Sequence, residues 1–180
     1  ISLMRAVCSP LVSDCNLNIL KVFFAIKLAT NKETGVWSYQ KIKLADNTIS
    51  DMSYEYTTAS NSHSYRCSLN ADDLNYWGYV NSTGVMGSAT DYDVLVVYTA
   101  PEKVKINVTW NVQVAREKSD GAVFSIFRND YQNVIGKRNV LQYEDGKQVL
   151  EYNGIVLNKG DKLYFRLNKK GSNSYDSIAT

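Results

Sequence analysis

The stretch that decides the fold is Lys103 to Ala115, KVKINVTWNVQVA. Its apolar residues occupy every second position, at Val104, Ile106, Val108, Trp110, Val112 and Val114. Alternation with a period of two places all six on one face of a strand, whereas a helix would scatter them around its axis. The pattern predicts a long antiparallel strand with one buried face, in which Trp110 belongs to the core.

The segments around this stretch show the same kind of signal. Strands are predicted at residues 37–44, 49–56, 92–99, 122–127, 149–157 and 161–168, while residues 57–75 read as a polar loop. Turn residues such as Ser119-Asp120-Gly121 separate the strands, and no helical spacer joins them. The sequence therefore predicts an all-β fold, an antiparallel β-sandwich or jelly roll.

Length and composition indicate one domain. A chain of 180 residues, 44% of them hydrophobic, can bury one good core, and no linker or repeat divides it. We expect a single domain over residues 1–180, with a module core at 32–180 and an uncertain N-terminal segment at 1–31. Within that segment, Ile19 to Leu28 (ILKVFFAIKL) fits an edge strand or a short helix, and the strand is narrowly favoured.

The charge pattern argues against nucleic acid as a partner, and the lack of a long apolar stretch argues against a membrane. The 20 basic and 18 acidic residues give a net charge of +2, and the basic residues are scattered rather than clustered on one segment. The most apolar stretch, Ile19 to Leu28, carries Lys21 and Lys27 and is too short to span a bilayer.

The three cysteines are Cys8, Cys15 and Cys67, and they form no CxxC pair that would indicate a zinc site. Cys8 and Cys15 are close enough in sequence to be bridged, which would leave Cys67 free. The odd number argues against a disulfide scaffold and leaves the redox compartment open.

Residue types for catalysis are scarce. His63 is the single histidine, so any Ser-His-Asp or Cys-His arrangement would have to use it. No carboxylate lies in a segment apolar enough to raise its pKa for acid–base work on glycosides. We expect a protein that is not an enzyme.

Aromatic residues are the candidates for ligand binding. The chain has 13 tyrosines and 3 tryptophans against 5 phenylalanines. A sugar offers a flat C–H face and a fringe of hydroxyls, which match an exposed ring flanked by polar groups. The candidate ligand-binding residues are Trp37, Tyr39, Tyr76, Trp77, Tyr79, Asn173 and Asp176. Each has an alternative role: the rings could fill the core of a strand-rich domain, and the polar residues could satisfy turn backbone.

Two acidic residues are candidate calcium ligands. Asp91 and Asp93, with Asp72 and Asp73 upstream, could supply carboxylate oxygens for a structural Ca²⁺, although no segment has the spacing of a helix-loop-helix calcium site. Without calcium, Asp91 and Asp93 would be turn and strand-start residues.

Several segments, taken in order, carry a family resemblance. They are DYD (91–93), YTAP (98–101), SDG (119–121), FRND (127–130), LNKGDKLYFRLN (157–168) and GSNSYD (171–176), with WSY (37–39) and YWGY (76–79) upstream. Over about the last two-thirds of the chain this order resembles accessory modules of secreted bacterial polysaccharide-degrading enzymes; residues 1–31 have no counterpart in the pattern.

The resemblance implies a jelly-roll-like domain without catalytic residues of its own, often appended to a glycoside hydrolase or lyase. It implies a secreted or cell-surface protein whose partners are a polysaccharide or oligosaccharide and an appended catalytic domain. The alternative function is a structural or adhesive cell-surface module that binds no sugar.

Overall fold

The computed structural model describes residues 19–23, 36–57, 62–81, 85–130, 133–172 and 176–179. The strands of these residues are β1 (Ile19–Phe23), β2 (Trp37–Lys43), β3 (Ile49–Asp51), β4 (Ser53–Thr57), β5 (Ser62–Arg66), β6 (Tyr79–Asn81), β7 (Val85–Gly87), β8 (Tyr92–Thr99), β9 (Val104–Val114), β10 (Ala122–Arg128), β11 (Val134–Leu141), β12 (Gln148–Leu157), β13 (Lys162–Lys169) and β14 (Ser177–Ala179). Two short 3₁₀ helices accompany them, Leu74–Trp77 and Tyr143–Asp145. Neither helix of this described part is long and apolar enough to cross a membrane.

The predicted all-β sandwich is confirmed. One sheet has eight strands: seven follow the order β1-β9-β14-β7-β6-β5-β4, and the eighth, β12, pairs with β9. The second sheet has six strands in the order β11-β10-β13-β8-β2-β3. Neighbouring strands are antiparallel except β1, which lies parallel to β9 with Ile19 opposite Lys105. From β8 onward the chain crosses repeatedly between the sheets, so each crossing adds side chains to the core between them.

The core between the sheets follows from the alternation in β9. Its even-numbered side chains are buried, and Trp110 is completely so, as the sequence predicts. The Trp110 ring lies 4.6 Å from that of Phe124 and 5.1 Å from that of Phe165, measured between centroids. Burying one large apolar side chain stabilises a fold by about 1.5–3 kcal/mol, so this line of rings is a main source of the sandwich's stability.

The six-stranded sheet is buried on both faces at its centre. Val94 and Val96 of β8 face the main core, while Leu95 and Val97 face the opposite side and are also fully buried. There they join a second cluster, in which the Phe127 and Tyr164 rings stack nearly parallel at 4.7 Å. A strand buried on both sides needs apolar residues at consecutive positions, which explains the unbroken run in YDVLVVYT.

The first half of the chain departs from the sequence prediction in two places. Residues 57–75, expected to be a loop, contain strand β5 (Ser62–Arg66) and the last residue of β4, Thr57, so the loop prediction is wrong for these six residues. The strand expected at 49–56 is divided at Met52 into β3 and β4, and these belong to different sheets. The chain therefore changes sheet at Met52, and β4 pairs with β5 rather than continuing β3.

The N-terminal segment is described only at Ile19–Phe23, where the favoured strand is confirmed. The rest of the predicted stretch to Leu28, together with Cys8 and Cys15, lies outside the described residues. Cys67 is a free thiol, only 3% exposed, and burial raises its pKa to about 12. The division into a segment 1–31 and a module core 32–180 stays a prediction.

Candidate ligand-binding surface

The pair of strands β4 and β5 presents two aromatic faces. In the ladder Tyr54 lies opposite Tyr65, and Tyr56 lies opposite His63. Tyr65 packs against the main core, so these four rings share the inner face of the eight-stranded sheet. Because successive side chains of a strand alternate in direction, Glu55 of the same strand points to the outer face.

The outer face carries a cluster built around Arg66. The guanidinium carbon lies 3.9 Å from the centre of the Tyr76 ring and 5.3 Å from that of Tyr79. Arg66 also forms an ion pair with Glu55 and donates a 3.0 Å hydrogen bond to the carbonyl oxygen of Tyr76. A cation over an aromatic face is worth about 0.5–2 kcal/mol, so Arg66 fixes both rings in place. We call Glu55, Arg66, Tyr76, Trp77 and Tyr79 the outer-face cluster.

The 3₁₀ helix Leu74–Trp77 is positioned by its own polar residues. Asp73 caps it by accepting a 2.9 Å hydrogen bond from the backbone N–H of Asn75, and this bond lowers the pKa of Asp73. The buried Asn75 side chain donates to Asp91 at 3.0 Å and accepts from the Asp91 backbone N–H at 2.9 Å. The turn that carries Tyr76 and Trp77 is thereby tied to the start of β8.

Trp77 is the most exposed aromatic side chain of the outer-face cluster. It is 57% exposed, and its ring meets Tyr76 edge-on at 5.5 Å with an interplanar angle of 85°. Residues three apart on a 3₁₀ helix eclipse one another, so Leu74, 63% exposed, lies on the same side as Trp77. The result is an exposed apolar surface whose indole ring meets a fixed tyrosine edge-on.

Two glycines allow this turn to approach the sheet. A Cβ on Gly87 would lie 2.5 Å from the Trp77 carbonyl oxygen and 2.6 Å from Tyr79 Cε1. A Cβ on Gly78 would lie 2.5 Å from Ala89 Cβ. Neither glycine has a positive φ angle, so the close approach, rather than backbone strain, is what requires the missing side chain.

The other two predicted aromatic ligands lie elsewhere. Trp37 is half-buried at the end of β2 and packs on Tyr98, with 5.0 Å between centroids. Tyr39 faces the same way and stacks on Tyr65 at 4.2 Å, and burial raises the pKa of its phenol. The sequence is right that Trp37 and Tyr39 share a face, but that face is the inner one, on the side opposite Trp77.

The predicted polar ligand Asp176 is a buried residue that makes its own contacts within the protein. Asp176 is 2% exposed, and its carboxylate accepts a 2.6 Å hydrogen bond from Ser119 Oγ. Its backbone oxygen accepts a hydrogen bond from the N–H of Ser88 at 2.8 Å. Asn173 lies outside the described residues.

The two candidate calcium ligands have protein partners. Asp93 is fully buried, paired with Arg166 and hydrogen-bonded at 2.7 Å by Asn168, although burial still raises its pKa. Asp91 is exposed, bonded to Asn75, and lies on the rim of a cavity of about 420 Å³ that Lys43 also lines. Within the described residues no three acidic, histidine or cysteine side chains gather as a metal site would need. A structural calcium at Asp91 and Asp93 stays a prediction.

The sequence does not point to Glu55 and Arg66 of the outer-face cluster, or to the inner-face rings Tyr54, Tyr56 and Tyr65. The available signal was the alternation of tyrosine with polar residues in SYEYT and SHSYR, which places the rings of two paired strands on one face.

Comparison with protein-family models and with curated proteins finds no match to this chain.

Proposed function

We propose that the chain is a non-catalytic module that binds neutral polysaccharide on the outer-face cluster. The observation that carries the proposal is Trp77, which is 57% exposed while its ring is held edge-on by Tyr76. An indole ring of this kind supplies a large rigid area that a sugar ring can cover with its C–H face.

Polar groups beside Trp77 suit the hydroxyl fringe of a sugar. The Tyr76 hydroxyl lies 3.5 Å from both carboxylate oxygens of Glu55, so Arg66, Glu55 and Tyr76 form one connected polar edge. Sugar hydroxyls both donate and accept, and such an edge can pair with them in either direction.

The charge of the cluster favours a neutral ligand. Arg66 is the basic residue of the cluster, and Glu55 neutralises it through a direct ion pair. The whole chain, including this cluster, has a net charge of only +2. A polyanionic polysaccharide would instead call for several cations with no acidic partner.

The cluster is also arranged for holding rather than cleaving. Hydrolysis of a glycoside ordinarily needs two carboxylates on either side of the bond. Glu55 is the one carboxylate of the cluster, and it is held in an ion pair with Arg66. A secreted or cell-surface location, next to an appended catalytic domain, is the setting we infer for such a module.

Affinity electrophoresis in native gels tests the proposal. The gels would contain hydroxyethylcellulose, xylan, glucomannan, galactan or a β-1,3-glucan. We expect at least one polysaccharide to retard the chain, and Trp77→Ala to weaken this retardation about tenfold, a loss of ~1.4 kcal/mol. Val149→Ala is the matched control, because Val149 has the same 57% exposure but lies on β12.

A structural or adhesive module is the second candidate, and one observation favours it. Leu74, 63% exposed, lies on the same side of the 3₁₀ helix as Trp77 and extends its apolar surface. Contiguous apolar surface can mark a protein contact. If no polysaccharide retards the chain, the sugar-binding proposal is wrong and this candidate takes its place. If a polysaccharide retards the chain but Trp77→Ala leaves retardation unchanged, the outer-face cluster is not where the polysaccharide binds.

A further inference from the structure

We propose that the opposite face of β4 and β5 is a second saccharide-binding surface, so that one chain holds two neutral glycan chains back to back. This surface, the inner-face row, consists of Tyr39, Tyr65, Tyr54, His63 and Tyr56. The inference rests on the proposed function, because both surfaces would take the same class of ligand.

The rings of the inner-face row follow one another from the core into solvent. Tyr39 stacks on Tyr65 at 4.2 Å, and Tyr65 lies 5.4 Å from Tyr54. Tyr54 stacks over His63 at 6.0 Å, and His63 lies 4.7 Å from Tyr56. The row therefore crosses both strands and both sheets as a continuous aromatic strip.

The solvent end of the row is exposed and held in place. Tyr54 and Tyr56 are 42% and 46% exposed, whereas Tyr65 at the base packs against the core. The Tyr54 hydroxyl is hydrogen-bonded to His63 Nδ1 at 2.5 Å, which fixes the tilt of the two rings across the strands. Rings held in advance lose little conformational entropy when a ligand covers them.

The chemistry of the row favours a saccharide over an apolar protein segment. Every member is a tyrosine or a histidine, so each apolar ring face carries a polar group at its edge. Sugars present the matching pattern of C–H faces bordered by hydroxyls. The core of a protein interface would draw on aliphatic side chains as well, and the row has none.

The strand pair itself keeps the two surfaces apart. Glu55 of the outer-face cluster lies between Tyr54 and Tyr56 in sequence and points to the other face. Two ligands would thus lie on opposite faces of one sheet without competing. A module with two such surfaces could bridge neighbouring glycan chains and gain avidity without any new contact.

Isothermal titration with cellohexaose, xylohexaose, mannohexaose and laminarihexaose tests the inference by stoichiometry. For the hexasaccharide that binds, we expect two equivalents for the wild type. We expect one equivalent for Trp77→Ala and one for the double variant Tyr54→Ala/Tyr56→Ala. Val140→Ala, exposed at 54% on β11, is the control and should keep both.

Ring-retaining variants guard against loss of fold. Tyr56→Phe keeps the stacking face and should keep two equivalents, and the unfolding temperature of each variant would be measured alongside. Latex beads carrying the same hexasaccharide should be agglutinated by the wild type and by neither single-surface variant.

Failure of the second surface and failure of the proposed function give different results. If Trp77→Ala abolishes all binding and the wild type takes one equivalent, the second surface is refuted while the proposed function stands. If no hexasaccharide binds and no polysaccharide retards the chain, both are refuted together.

Discussion

Replacing Asp176 by asparagine should change how the protein's stability depends on pH. Asp176 is 2% exposed, and burial raises the pKa of its carboxyl group to about 6, helped by the nearby charge of Asp120 and opposed by the hydrogen bond from Ser119. In the unfolded chain the pKa returns to the ordinary value of about 3.9. The folded state therefore holds the proton more tightly than the unfolded state does.

The sign of the effect follows from linkage. The stabilising contribution of protonated Asp176 is complete below about pH 4 and is lost as the pH rises through about 6. A shift of about two units corresponds to at most ~3 kcal/mol, and screening by water and neighbouring dipoles reduces this to an expected ~1.5 kcal/mol. The asparagine amide of the variant cannot ionise, so the variant escapes that loss at high pH.

Thermal unfolding of wild type and Asp176→Asn at pH 4.5 and pH 8 measures the difference. Any fixed effect of the amide on packing cancels when the two pH values are compared. We expect the unfolding temperature of the variant, relative to wild type, to rise by about 2–4 °C between pH 4.5 and pH 8, since about two-thirds of the ~1.5 kcal/mol is lost over this range and ~1 kcal/mol is worth about 2–4 °C in a chain of this size.

Asp46→Asn is the control for direction. Asp46 lies at the surface, and hydrogen bonds from Thr48 lower its pKa, so its contribution is present at high pH and lost on acidification. That variant should lose stability relative to wild type as the pH rises. The reasoning is refuted if the unfolding temperature of Asp176→Asn relative to wild type does not change with pH. It is also refuted if that relative temperature falls as the pH rises, as expected for Asp46→Asn.

Three further predictions concern the outer-face turn, the buried thiol and the core. Gly87→Ala should keep the fold but weaken polysaccharide retardation severalfold, because the new methyl group would displace the Trp77 backbone and the Tyr79 ring; unchanged retardation would contradict the placement of this turn. Cys67, with a thiol pKa of about 12, should resist alkylation by iodoacetamide at pH 8 until denaturant is added, as peptide mapping by mass spectrometry would show, and rapid native labelling would contradict its burial. Trp110→Ala should cost about 3–5 kcal/mol of unfolding free energy in urea, and a cost below ~1 kcal/mol would mean that the ring is not central to the core.

Much of the sandwich is predictable because local patterns decide it. The run from Val104 to Val114 alternates strictly, since one face of β9 meets the core and the other does not. Strand β8, from Tyr92 to Thr99, is equally predictable from its run of apolar residues, although burial of both its faces removes the alternation. In both strands the order of apolar and polar residues is enough to predict which faces of the strand are buried.

The pairing of β4 with β5 was not predictable in the same way. Ser62 to Arg66 is rich in serine, a residue typical of turns, and no aliphatic side chain marks it as a strand. Its strand conformation depends on hydrogen bonds to β4 and β6, which are tertiary contacts. The face on which Tyr65 or Arg66 lies follows only once that register is known.

The candidate site also has a part that the sequence predicts and a part that depends on the tertiary fold. Tyr76, Trp77 and Tyr79 come together because they are near neighbours on one turn, which the sequence shows directly. Trp37 instead packs against the core between the two sheets from β2, and the chain enters the other sheet only after Met52, a change that no local pattern marks.

The most direct test of sugar binding at Trp77 is acrylamide quenching of tryptophan fluorescence, with and without the polysaccharide that retards the chain. Trp110 is fully buried and Trp37 is half-buried, so quenching in the free protein should come mainly from Trp77. Saturating polysaccharide should lower the quenching constant about twofold or more, and Trp77→Ala should show no such change. Retardation by a polysaccharide that leaves wild-type quenching unaltered would place the sugar away from Trp77 and contradict the account.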